Sequence, residues 1–274
     1  MSRRGQYVND LTPFFDDGCW MFVLLARDAK VGVILRRGPT RWWHVTRWDT
    51  RTDQFEKGQW FHGRIYPDQC DLSPDGKLFV YFAGKWRARA RDLGYGDVWT
   101  AVSRPPYLTA LALWPDTSTY GGGGIFFDNQ SVQVGWPGLH HHPDHPPGPL
   151  LVNPALVPPP PCWQEGWLPV PFVTPVGQYR KPCGPLALGR DLPVHRASRA
   201  RIIYYLYRSA RGPIAQFESH WADWDHRGRL VAAVGGRILT ARLTKDDHLR
   251  WRQLVDLHPE KPTRLEAPAW AQRW

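Results

Sequence analysis

Apolar residues in this chain fall in short runs separated by polar, glycine-bearing turns, and no run keeps the three-to-four spacing of a helix. Strands are therefore predicted at Cys19 to Leu25, Val31 to Leu35, Trp42 to Trp48, Gln59 to Ile65, Leu78 to Ala83, Val98 to Val102, Leu108 to Leu113 and Ile125 to Phe127. Four more follow at Ile202 to Tyr207, Ile214 to Phe217, Leu230 to Val234 and Arg237 to Leu243. Between the last two, Gly235-Gly236 separates apolar runs by two residues, the spacing of a tight hairpin. A second hairpin is predicted from Trp43 to Glu56, with its turn at Asp49 to Asp53. Two looser ones are expected where Ala110 to Asp116 leads through Gly121 to Gly124 into Ile125 to Phe127, and where Phe14 to Trp20 leads into Met21 to Leu25.

One such unit occurs twice without a gap. Asp71-Leu-Ser-Pro-Asp-Gly-Lys-Leu-Phe-Val80 matches Asp223-Trp-Asp-His-Arg-Gly-Arg-Leu-Val-Ala232. Asp71 aligns with Asp223, Ser73 with Asp225, Gly76 with Gly228 and Lys77 with Arg229. The shared glycines suit the positive φ of a tight turn, and Leu78 and Leu230 begin the apolar strand behind it. Asp71, Gly76, Asp223 and Gly228 are thus expected as structural turn residues. The segment Ser73-Pro-Asp-Gly-Lys77 resembles the blade hairpin of TolB-like and WD40-like β-propellers; the second copy departs from it with His226-Arg227 in place of Pro74-Asp75. The resemblance implies an all-β, propeller-like fold of about five or six blades, with 1–274 as a single domain.

Composition agrees with strands. The 274 residues include 16 Trp, 10 Tyr and 11 Phe, side chains that pack well on a pleated surface, while 25 Gly and 27 Pro are too frequent for a helical bundle. Residues 137–193 hold 16 of those prolines, including Pro158 to Pro161, and such a segment is a poor donor for a central strand. It is expected as a strap or insertion, on which Trp163, Trp167, Phe172 and Tyr179 need burial or a partner.

Cys19, Cys70, Cys162 and Cys183 have no C-x-x-C spacing, and Asp16-Asp17 stand between the N-terminal arginines and the first apolar run. A cytoplasmic protein with no membrane partner is expected. The net charge of +10 is the one global hint about ligands. Arg36, Arg37, Arg41, Trp42 and Trp43 form one basic-aromatic set and Trp86, Arg87, Arg89 and Arg91 another, with Arg196, Arg199 and Arg201 a third cluster. The first two sets suit a polyanion, through phosphate neutralisation and base stacking.

Catalytic signals are scarce. His140-His-His-Pro-Asp-His145 is dense in imidazoles but lies among prolines, so no metal is assigned to it and no cofactor is expected. Asp16, Asp17, Asp49, Asp71, Asp128 and Asp223 are the acids available to a glycosidase-type carboxylate pair. Asp71 and Asp223, however, occupy equivalent turn positions. No Gly-x-Ser-x-Gly elbow and no phosphate loop is present. The expectation is a non-enzymatic binding or scaffolding module with a protein partner; the alternatives are a glycan-active enzyme and a basic nucleic-acid-binding accessory protein.

Overall fold

The structure, a computed structural model, describes residues 7–15, 18–86, 92, 94, 96–135, 140–154, 156–170, 178–191, 201–208 and 212–274. Its strands are β1 (Tyr7–Val8), β2 (Trp20–Leu25), β3 (Val31–Arg37), β4 (Trp42–Asp49), β5 (Gln54–His62), β6 (Arg64–Ile65), β7 (Asp71–Leu72), β8 (Phe79–Gly84), β9 (Val98–Ser103), β10 (Ala112–Asp116) and β11 (Gly124–Phe126). They continue with β12 (Ser131–Val134), β13 (Leu151–Val152), β14 (Leu168–Pro169), β15 (Gln178–Cys183), β16 (Leu186–Asp191), β17 (Ile202–Arg208), β18 (Pro213–Ser219), β19 (Trp221–Trp224), β20 (Leu230–Val234), β21 (Arg237–Leu243) and β22 (Leu249–Asp256). The protein is all-β. Among the described residues no helix is long and apolar enough to cross a membrane.

Among the described residues the strands form five sheets that follow one another along the chain, ordered β2-β3-β4-β5, then β10-β9-β8-β6 with β7 also on β8, β11-β12-β13, β14-β15-β16-β17-β18, and β1-β22-β21-β20-β19. Neighbouring strands are antiparallel except β12 and β13, which run parallel. The chain divides into two compact units, one made of residues 1–22 and 166–260, the other of 23–165 and 261–274. In the first, Leu188, Tyr204, Leu206, Ala232, Leu239 and Trp251 are central to the core; in the second, Val80, Val102, Trp114, Phe126 and Val132 are. Burial follows position in the sheet. Every residue of β8 and β20 is buried, so both faces are covered, whereas the edge strand β5 is mostly exposed or half-buried.

The tight turns lie where the residue types put them. Val234 pairs with Arg237 across Gly235 and Gly236, whose φ of 51° and 82° only glycine adopts freely. Asp49 pairs with Gln54, and the Asp49 carboxylate accepts from the amides of Arg51 and Thr52 inside the turn. Two expectations need correction. Gly121 to Gly124 is no flexible hairpin tip, because β10 pairs with β9 and β11 with β12. The run is glycine because the chain is packed tightly there: a Cβ on Gly122 would lie 2.0 Å from the Phe82 ring, and one on Gly123 2.2 Å from the Gln69 carbonyl oxygen. Thr12–Phe14 forms a 3-10 turn, so this part of the stretch before β2 is not a strand; Asp16 and Asp17 lie outside the described residues.

The proline-rich stretch, expected as a strap or insertion, also supplies strands. It contains β13 to β16, and β15 and β16 are interior strands of a five-stranded sheet. Proline is tolerated because of where it falls. Pro182 pairs with Ala187 on one side, while β14 reaches only as far as Arg180 on the other, so the missing amide leaves no ladder bond unmade. Trp163 and Trp167 are buried, as large aromatics on such a segment require; Phe172 lies outside the described residues.

Candidate functional site

The two matched hairpins carry the most strongly buried carboxylates. Asp71 is fully buried at the start of β7. One oxygen accepts from the Cys162 amide at 2.7 Å; the other accepts from the Phe126 amide at 2.9 Å and pairs with the Arg27 guanidinium at 3.3 Å. Arg27 also donates to the Pro160 carbonyl at 2.7 Å. Burial pushes the Asp71 pKa up against the pull of Arg27 and the amide donors. Asp223 is 3 % exposed and accepts from Lys181 Nζ at 2.9 Å, Trp167 Nε1 at 3.2 Å and the Trp224 amide at 2.7 Å. Each carboxylate ties its hairpin to chain segments distant in sequence. With every oxygen engaged in this way, both are structural anchors.

The turns are alike. Gly76 and Gly228 both have φ of 68°, and each donates its amide at 2.8 Å to the carbonyl three residues earlier, on Ser73 and Asp225. Leu78 and Leu230 are buried behind them. The remaining acids proposed for catalysis are also turn formers among the described residues. Hydrogen bonds from the Gln130 and Ser131 amides hold the Asp128 carboxyl below the usual range, and Asp49 caps the β4–β5 turn.

The polyanion set is only partly presented to solvent. Arg36 is 3 % exposed, donates to the Gly38 carbonyl at 2.8 Å and lies 5.3 Å from the centroid of Trp60, which stacks on His44 at 4.4 Å. Trp43 is buried, with Arg37 6.0 Å from its ring centroid. These side chains belong to the packing of the first sheet. Trp42 is half-buried and sits 4.8 Å from His62, while Arg41 and Trp86 are exposed. Arg87, Arg89 and Arg91, with Arg196 and Arg199, lie outside the described residues. Among the described residues, Arg36 and Trp43 are thus buried in the sheet while Arg41 and Trp86 face solvent.

The histidine segment is fixed by its backbone, which the proline setting did not suggest. The His142 amide donates to the Leu113 carbonyl at 2.7 Å and the Leu113 amide to the His145 carbonyl at 3.1 Å, so residues 142–145 lie along β10. Burial, then the charge of His142, lowers the His145 pKa. His140 to His142 border an open cleft of about 820 Å³ with Asp92, Asp116 and Asp144, yet no group of three metal-ligating side chains converges among the described residues. The thiols of Cys70 and Cys162 are buried and pushed well above their ordinary pKa by burial, so neither is an activated nucleophile.

The contrast to these consumed polar groups lies in residues 151–154 and 156–161. Leu151, Leu156 and Val157 are 59 %, 67 % and 92 % exposed, and Pro158 to Pro161 follow without joining any strand. This exposed apolar stretch escaped sequence reasoning, because proline-rich composition says where a chain leaves the sheets but not which side faces water. No protein-family model matches the chain, and no curated protein is significantly similar to it.

Proposed function

We infer that the chain is a non-enzymatic, protein-binding module on a five-bladed β-propeller. Support for the propeller is topological: five mostly antiparallel sheets succeed one another in sequence, and β1 joins the last sheet, the tie a ring of sheets needs between its ends. Four free cysteines, three of them buried, suit a reducing cytoplasm. The observation that carries the binding role is the exposure of Leu151, Leu156 and Val157 on one short segment whose far end is anchored, while the buried acids serve the fold. Exposed apolar groups held in place favour association over catalysis.

The test is affinity isolation with the immobilised full chain at native salt, with and without nuclease. A protein bound in stoichiometric amount after nuclease treatment, and lost with Leu151→Ser, Leu156→Ser and Val157→Ser together, is the expected result. Recovery that depends entirely on nucleic acid, or turnover of a glycan substrate, would replace this reading.

A further inference from the structure

We propose that residues 156–161 form a rigid polyproline II ridge that inserts into an aromatic-lined groove of a partner protein; this rests on the reading of the chain as a protein-binding module. The conformation follows from sterics. Val157, Pro158, Pro159 and Pro160 each precede a proline, which drives a residue out of the helical region, and each proline ring fixes its own φ. Pro161, at φ −59° and ψ 155°, has the resulting extended geometry.

A polyproline II helix repeats every three residues, so Val157 and Pro160 share one edge. Both are exposed, while Pro158, Pro159 and Pro161 are half-buried. One edge of the ridge therefore faces solvent. Leu156, 67 % exposed, extends the apolar surface at its start. The other end is clamped: Arg27 donates to the Pro160 carbonyl at 2.7 Å, Asp71 accepts from the Cys162 amide at 2.7 Å, and Cys162 and Trp163 are buried.

Grooves that read such ridges are lined with aromatic rings and gain from a ligand that loses little conformational entropy on binding. The ridge fits that requirement. Residues 154–163 carry no charged side chain, and the one guanidinium that touches the ridge, Arg27, is already paired with Asp71 and Glu165, so entering an apolar groove strips water from no unpaired ion of the ridge.

The full chain would be titrated against purified SH3, WW and EVH1 domains, which read polyproline II ligands through aromatic grooves. At least one is expected to bind. Val157→Asp with Pro160→Ala should then weaken binding about tenfold or more, which is about 1.4 kcal/mol. Pro158→Ala with Pro159→Ala should weaken it through lost stiffness, Tyr120→Ser should leave it unchanged, and all variants should melt as the parent does. Failure of every domain to bind, or equal binding by the ridge variants, would overturn the ridge. So would finding that Val157→Asp abolishes self-association or adsorption to neutral phosphatidylcholine vesicles and nothing else. A partner captured by the parent and kept at equal affinity by the ridge variants would overturn the ridge while leaving the module reading intact; a parent chain that captures no protein would remove the module reading itself.

Discussion

Two hairpins with the same spacing, one around Gly76 and one around Gly228, reach the same turn with different chemistry. In the first, the work is divided. Ser73 Oγ accepts from the Leu78 amide at 2.9 Å and donates to Asp75 Oδ1 at 2.7 Å, and Asp75 Oδ1 accepts from the Lys77 amide at 3.1 Å. In the second, Asp225 stands at the Ser73 position and takes over the bond Asp75 makes: it accepts from the Arg229 amide, the counterpart of Lys77's, and from the Arg227 amide, both at 2.9 Å, and from the Arg229 side chain at 2.7 Å. Arg227 can then replace Asp75 because its carboxylate is no longer needed. The ladders close differently as well: Leu72 pairs with Phe79, but Trp224 pairs with Leu230. The two turns share the glycine geometry and one satisfied amide, that of Lys77 or Arg229, and reach it from carboxylates at different positions.

The largest expected difference lies at the buried acids. Asp71→Ala leaves the buried Cys162 and Phe126 amides without their acceptor and removes the buried counter-charge of Arg27, a loss of about 3–5 kcal/mol. Asp223→Ala should cost about 2–3 kcal/mol, since it takes the acceptor from one backbone amide, that of Trp224, where Asp71 serves two. Urea midpoints of the two variants measure this, and equal losses would break the comparison. Next come the glycines. A Cβ on Gly76 would meet Val31 Cβ at 2.9 Å, but one on Gly228 meets only Cys183 Sγ at 3.4 Å. Both carry the positive-φ strain of about 1 kcal/mol, and Gly76→Ala adds about 1–3 kcal/mol of overpacking.

The turn acids should differ less, and with pH. Burial works to raise the Asp75 pKa, but hydrogen bonds from Ser73 and Lys77, with the Lys77 charge, outweigh it and hold the carboxyl below its ordinary value. A folded-state pKa that is depressed adds stability above the unfolded value and loses it as pH falls through the folded one. The cost of Asp75→Asn should accordingly be visible at neutral pH and vanish in acid. The smallest effect should come from transplanting the second turn into the first. Ser73→Asp alone places two carboxylates side by side and destabilises, whereas adding Asp75→Arg should restore stability to within about 0.5 kcal/mol of the parent. Thermal melts of the single and double variants give the coupling; no rescue would mean that the two turns are not interchangeable.

Much of the fold was legible because strands and turns advertise themselves locally. Gly235-Gly236, the Asp49 turn and the paired glycines each required a backbone that few other residues permit. What sequence could not supply was the partner across the ladder. Gly121 to Gly124 reads as a loop until Phe82 and Gln69 are seen against it, and Pro182 reads as a strand breaker until the short reach of β14 leaves its side of the strand open. Arg36 and Trp43 looked like surface groups for the same reason: a charge or an indole carries no local sign of what will cover it.

The pairing of Tyr7 with Arg252 and Val8 with Trp251 sets a timetable for biosynthesis. β1 is made well before its partner and must wait, unpaired, until β22 has followed it. Its contact closes one of the longest loops in the molecule, a slow event for which local structure gives no head start. Until then the outer edge of β22 has nothing on it, and an uncovered strand edge is a template for a neighbouring chain. Expression at high concentration should therefore be most vulnerable in the final moments of folding, and a chain lacking residues 1–8 should carry that vulnerability permanently.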